Sequence, residues 1–318
     1  MLNISSDNFF TTENLDRIVE KRHDENWISE KLIDPETKFI PLWQSKNLFN
    51  AEKDPYVVFL TKDEIIKQKI STDSYTLIGE LNNQIYFSFS LPDDNIKIEN
   101  AFSKFGIFSS IRRYGVLLPK DEASLLGYAN AIDAWQKNHR FCGKCGRETI
   151  LEEAGHKLIC SNNKCDHLSF PRTDPAIITV VYKDDECLLV RQPHWQKAQY
   201  ALVAGFVEPG ESLESAVARE IFEETGITVD EIIYQSSQPW PFPTSIMLGF
   251  YARALTQKIT FYDKELEDAK WMTRKEIINQ LNSGELKLPT RFSIAYKLFE
   301  SWFNNNEFNL IEVLNNLQ

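Results

Sequence analysis

Glu220, Glu223 and Glu224 stand at i, i+3 and i+4 in the run Arg219-Glu220-Ile221-Phe222-Glu223-Glu224-Thr225-Gly226-Ile227. On a helix that spacing puts all three carboxylates on one face. If the helix were merely structural, the crowding would cost roughly a few tenths of a kcal/mol per pair; a divalent cation bound through oxygen turns the same repulsion into a site. Mg²⁺ or Mn²⁺ suits such hard ligands, keeps several waters and commonly bridges to phosphates, so the chemistry expected is phosphate chemistry. A solvated acidic face is the ordinary reading of a bare Glu-Glu pair, and the wider spacing decides against it. Upstream, Gly205-Phe206-Val207-Glu208-Pro209-Gly210-Glu211 reads as a glycine-bounded loop that feeds the helix.

A second constellation is Cys142-x2-Cys145, then Cys160-x4-Cys165. Two such knuckles can present four thiolates tetrahedrally, the arrangement of a closed structural zinc site, with no position left open for substrate. Buried thiols or two disulfides are the alternatives, and the paired short spacings with Gly143 and Gly146 argue against both. His156 and His167 lie close enough in sequence to replace a thiolate, although lone histidines are more often surface residues. Cys187 falls in an apolar run and reads as a small core residue.

The elements that position these groups follow from periodicity. Leu213, Ala216, Val217, Ile221 and Ile227 supply a buried stripe for the carboxylate helix, with Ser212 as N-cap and Gly226 as the terminating residue. Ala176 to Tyr182 is an apolar, β-branched run expected as a buried strand, with Cys187 to Val190 its neighbour across a turn at Lys183 to Glu186. Ile246 to Arg253 reads as another strand, and a last helix carries Ile294, Leu298 and Trp302 on one face. Residues 1 to about 118 read as short strands, with Tyr56 to Leu60 apolar and Thr76 to Leu81 joined to Gln84 to Leu91 by an Asn82-Asn83 turn. Ala123, Leu125, Leu126, Ala129, Ile132 and Trp135 then recur at helical spacing. The division expected is a β-rich domain over 1–138 ending in that helix, a zinc ribbon over 139–170 and a catalytic domain over 171–318.

The whole pattern of glycine, five residues, glutamate, seven residues, then Arg-Glu-aliphatic-x-Glu-Glu-x-Gly-aliphatic resembles the box of the Nudix hydrolases at every defined position. The resemblance implies an α+β fold, an α/β/α sandwich around a mixed sheet, and hydrolysis of a nucleoside diphosphate linked to another moiety. It implies that Glu220 and Glu224 are metal ligands, Glu223 a ligand or base, and Ala204 a carbonyl ligand. Arg219 and Glu211 are implied to pair and fix the loop on the helix.

Three further features narrow the resemblance to the NADH pyrophosphatase subfamily. They are the cysteine ribbon just upstream, the stretch Ser237-Gln238-Pro239-Trp240-Pro241-Phe242-Pro243-Thr244-Ser245, and Ser293-Ile294-Ala295 opening the final helix. This resemblance implies cleavage of NADH or NAD⁺ to nicotinamide mononucleotide and AMP, removal of NAD caps from RNA in some members, and a homodimer. It further implies that Gln238 to Ser245 bind substrate, that Glu265 in Lys264-Glu265-Leu266 is another metal ligand, and that Ala295 makes a backbone contact to substrate. Phe170 and Phe206 correspond to an aromatic pair that clasps a flat base, with Phe170 at a position often occupied by Tyr. The second knuckle is wider than in bacterial members, and Gly155 stands where some of those have glutamate. Read without the family, Pro239 to Pro243 would be a stiff polyproline linker or ligand, and both phenylalanines would be packing residues.

Composition limits the rivals. The 318 residues suggest two domains, and 42% apolar with 25% charged residues fits an ordinary globular chain. Met1 to Asp16 lacks the basic start and apolar run of a secretory signal, Leu317 and Gln318 form no lipidation signal, and no apolar stretch is long enough to span a bilayer. A cytoplasmic protein without membrane partners is expected. The net charge of -11 opposes nonspecific nucleic-acid binding unless basic residues gather on one face. Two rival readings are hydrolysis of another dinucleotide, such as ADP-ribose or a diadenosine polyphosphate, and a zinc-ribbon binding protein whose catalytic domain is inactive.

Overall fold

The computed structural model describes residues 4–51, 53–69, 74–262 and 265–317. Met1, Lys264 and Gln318, used in the sequence reading, lie outside this set. The chain divides into two units: residues 1–9, 174–238 and 245–318 form one, and residues 10–173 with 239–244 form the other.

In the second unit, strands β1 (Lys38–Trp43), β2 (Lys46–Asn50), β3 (Tyr56–Val57), β4 (Thr76–Leu81), β5 (Gln84–Ser90) and β6 (Ile107–Ser109) form one sheet in the order β3-β2-β1-β5-β4, with β6 on β2. The Asn82-Asn83 turn is present, both residues with positive φ as a tight hairpin requires. Helices α1 (Glu25–Ile33), α2 (Lys62–Lys67) and α3 (Asn95–Phe102) interrupt what the sequence suggested was a run of strands. Asp24, Thr61 and Asp94 cap them through their side chains. The stretch Tyr56 to Leu60 is a strand only over its first two residues, after which Leu60 alone bridges Phe39.

A four-residue helix α4 (Ile111–Tyr114) precedes α5 (Lys120–Asn138), whose expected stripe from Ala123 to Trp135 is buried. A small sheet follows, made of β7 (Thr149–Glu152), β8 (Lys157–Cys160) and β9 (Leu168–Ser169).

In the first unit, β10 (Asp174–Lys183) is the central strand. It pairs in parallel with β14 (Ser245–Ala254), forms a hairpin with β11 (Glu186–Arg191) in the register Tyr182 to Cys187, and pairs antiparallel with β12 (Val203–Phe206). β13 (Val229–Trp240) and β15 (Asp268–Thr273) complete a mixed sheet. Residues of β10 alternate between two cores, which explains an almost unbroken apolar run: Ile178 and Val180 face one, Ile177 and Val181 the other. The first core is closed by α7 (Arg274–Ser283) and α8 (Ile294–Phe303), and the second by α6 (Leu213–Thr225). Ile294 and Leu298 are buried as expected; a further helix, α9 (Leu310–Asn315), follows α8. No helix among the described residues is long and apolar enough to cross a membrane.

Candidate active site on the carboxylate helix

α6 starts where Ser212 accepts from the Ser215 N–H and ends at Gly226, whose φ of 70° supplies the left-handed turn. Ala216, Val217, Ile221 and Ile227 are fully buried. Each larger aliphatic buried this way contributes about 1.5–3 kcal/mol, and this anchoring sets which face carries the charge. Glu223 is exposed, Glu220 half-buried and Glu224 buried.

The Glu220 carboxylate rests against Gly205 at the end of β12. A Cβ built on Gly205 would lie 2.0 Å from its Cδ, so only glycine leaves the carboxylate this seat. Burial raises the pKa of Glu220 above the ordinary carboxylate range; the charges of Glu223 and Glu265 push the same way, against the pull of Arg219. Glu265 lies exposed just before β15.

Arg219 organises the loop and the helix together. It donates to Glu211 from Nε at 2.6 Å and from Nη2 at 2.9 Å, to Glu223 at 2.9 Å and to the Phe206 carbonyl at 3.0 Å, and it pairs with Glu220 at 3.0 Å. The guanidinium, with a further backbone bond from Glu208, holds Glu211 down at a pKa of about 2. The pairing of Arg219 with Glu211 expected from the sequence is therefore present, and Arg219 also engages two of the three helix carboxylates.

The donor set fits a hard divalent cation: carboxylates on one helical face, one of them buried, and a glycine cradle beside another. Their oxygens do not converge as tightly as the thiolates of the cysteine cluster do. Like charges repel, and the guanidinium of Arg219 is the cation that draws Glu220 and Glu223.

Cys142, Cys145, Cys160 and Cys165 bring their sulfurs within 4.8 Å of one another, and no disulfide joins them. The backbone N–H groups of Lys144 and Asn162 each point at a sulfur, Cys142 and Cys160, at 3.4 Å, which favours thiolates and so a metal. His156 is neither a ligand nor a surface residue. It is buried, its Nε2 donating to the Leu77 carbonyl at 2.7 Å, and burial drives its pKa down to about 4. His167 also stands outside the cluster, and Cys187 is fully buried in the core as expected.

The proline-aromatic stretch divides between the two units. Gln238 is wholly buried; its amide donates to the carbonyls of Phe9 and Phe292 and accepts from the Ile294 N–H at 2.7 Å. Its amide thus caps α8 at its first residue, next to Ala295, which is buried in the same turn. Asn8 braces the strand before it, donating to Ser236 and to the Ser237 carbonyl.

In the other unit, Pro241 and Thr244 are buried, Pro239 and Pro243 exposed, and the Trp240 and Phe242 rings meet edge to face with 5.1 Å between centroids. Ser245 opens β14. This is a packed turn and not a free polyproline linker. Arg112, which no local pattern marks, lies 4.0 Å over the Phe242 ring. Ala204 pairs with Ile178 in β12. Phe170 and Phe206 belong to different units, and each ring is exposed, at 59% and 61%.

The NUDIX domain model matches residues 172–292, and the NADH pyrophosphatase zinc ribbon domain model matches residues 137–170. The human NAD-capped RNA hydrolase NUDT12 is 30% identical over an alignment of 346 residues, which covers 94% of this chain and 74% of that protein. The chain belongs to the Nudix hydrolase family. NAD-capped RNA hydrolase NudC of Mycobacterium bovis is 40% identical over 202 residues, covering 60% of this Nudix chain and 64% of that protein. The crystal structure of a Nudix hydrolase from Nitrosomonas europaea aligns with 53% of this chain and 92% of its own, at 21% identity and a TM-score of 0.43.

Proposed function

We propose that this Nudix hydrolase cleaves the diphosphate of NADH and NAD⁺ to nicotinamide mononucleotide and AMP, and acts likewise on the NAD cap of RNA. The observation that carries the reading is the box itself: a carboxylate seated on Gly205, a buried carboxylate one turn on, and Arg219 tying loop to helix. A cysteine ribbon of the NADH pyrophosphatase type and relatives named as NAD-capped RNA hydrolases support the choice of substrate.

In this reading Glu220, Glu223, Glu224 and Glu265, with the Ala204 carbonyl, hold Mg²⁺ or Mn²⁺, and the four cysteines hold one structural zinc. A divalent cation held there would supply positive charge against the diphosphate; water attacks phosphorus in line, and AMP or the mononucleotide leaves as the bridging P–O bond breaks. Glu223 or Glu265, both exposed, accepts the proton. Arg219 keeps the loop carbonyls and carboxylates in register. Gln238 positions the first turn of α8 so that Ala295 can meet substrate through its backbone, and the stretch Pro239 to Ser245 shapes the binding surface. Phe206 and Phe170 each offer an exposed ring for stacking on a base, such a contact being worth about 1–3 kcal/mol. We further propose a homodimer.

The test is purified protein with Mg²⁺ or Mn²⁺ against NADH, NAD⁺, ADP-ribose, diadenosine polyphosphate and NAD-capped RNA. Release of nicotinamide mononucleotide with a preference for NADH over ADP-ribose is expected; equal or greater turnover of ADP-ribose removes the reading.

A further inference from the structure

A cavity of about 680 Å³ opens at the end of α7, on the side of the sheet away from α6, and Arg191, Lys197, Lys270 and Lys287 line it with Tyr200 and Glu285. In a chain of net charge -11, four cations against one lining carboxylate is a local reversal of sign. The loop carrying Lys197 is fixed beside Lys287: the Lys287 N–H donates to the Ala198 carbonyl at 2.7 Å, and the Tyr200 N–H donates to the Lys287 carbonyl at 3.1 Å.

Arg191 is fully engaged, by Glu267 at 2.8 Å and by the carbonyls of Trp195 at 3.0 Å, Gln199 at 3.3 Å and Gln196, and Lys270 pairs with Asp268 at 3.4 Å, so the positive charge left to a ligand is that of Lys197 and Lys287. Lys197 and Lys287 are exposed. The lysines are not required to cap the carbonyls of α7, because the N–H groups of Glu285 and Leu286 already reach the Gln280 carbonyl and that of Gly284 the Leu281 carbonyl. Two exposed ammonium groups, Lys197 and Lys287, lining a volume typical of ligand pockets suit successive phosphodiesters better than one small anion.

We propose that this cavity holds phosphate groups of the RNA chain that follows the cap, which rests on the reading of the site as an NAD-decapping one. The experiment is fluorescence anisotropy of a 5′-phosphorylated single-stranded oligoribonucleotide against the full chain across a salt series, with inorganic phosphate and AMP as competitors. Lys197→Gln/Lys287→Gln should weaken binding about tenfold at low salt and make the slope of log affinity against log salt shallower by about 1.4, two contacts at about 0.7 each. Lys197→Arg/Lys287→Arg should keep the slope, and both variants should turn over NADH as the parent does.

No oligonucleotide binding by the parent, an unchanged slope in the glutamine pair, or competition by AMP or phosphate as strong as by the oligonucleotide would each overturn the proposal. Absence of NADH turnover in the parent would strike the functional reading instead, and the binding series is scored independently of it.

Discussion

Gly205→Ala separates the seat of the Glu220 carboxylate from the stability of the fold. The new Cβ would stand 2.0 Å from Cδ and 2.1 and 2.3 Å from the two oxygens of Glu220. Comfortable carbon contacts begin near ~3.5 Å, so the carboxylate must withdraw by about 1.5 Å. The obstructing atoms are the end of a flexible side chain, and Gly205 does not occupy the left-handed region, so the backbone can stay. Alanine in a strand gains roughly 0.5–1 kcal/mol over glycine, which offsets the rearrangement of Glu220. Thermal stability should therefore change by less than about 1 kcal/mol. Activity should not be spared, since a misplacement of about 1 Å in a reacting array costs on the order of 10²-fold. The assay is kcat/KM for NADH with Mg²⁺ beside a melting curve. Full activity in the alanine variant would show that the seat of Glu220 on Gly205 does not matter to turnover, and a Tm collapse would show that the backbone, not Glu220, takes the strain.

Other consequences can be tested together. Phe206→Ala should raise KM for NADH roughly 5- to 150-fold, the equivalent of about 1–3 kcal/mol of stacking, with the melting curve unchanged because the ring is 61% exposed. His156 has its pKa pressed from 6.5 to about 4 by burial, so the folded state resists protonation. Its contribution is complete above pH 6.5 and is lost as pH falls toward 4, a loss of about 3 kcal/mol that His156→Gln should largely abolish in urea titrations at pH 7 and pH 4.5. Cys145→Ser should reduce zinc content below one per chain by metal analysis and lower the Tm by more than about 5 °C; retention of both would count against a structural zinc.

What could be read from the sequence follows a physical pattern. α6 and the hairpin of β10 with β11 were legible because caps, period and burial agree: Ser212 and Gly226 bracket a stripe in which Ala216, Val217 and Ile221 are fully buried and Leu213 half-buried. α1 was not, because none of its residues is fully buried and its apolar face is only Trp27, Ile28 and Leu32, partly buried against the core, too short a pattern to mark a helix. The cysteine cluster and the box were legible because ligand spacing is local. The seat of Arg112 over Phe242 and the bond from buried His156 to the Leu77 carbonyl were not, since each depends on tertiary placement, whereas the Arg219–Glu223 contact is a local i, i+4 pair of the kind spacing alone offers. Gln238 is instructive: its membership of a motif marked it, but only the fold shows both ends of its amide bound to backbone.

Carboxylates of one helical turn of α6 run the proposed hydrolysis. Glu224→Gln keeps the shape of the buried side chain and removes its charge, so NADH turnover with Mg²⁺ or Mn²⁺ is predicted to fall by at least ~10²-fold while the melting curve and zinc content stay those of the parent. A Glu224→Gln protein that releases nicotinamide mononucleotide at the parental rate would show that this carboxylate takes no part in the hydrolysis.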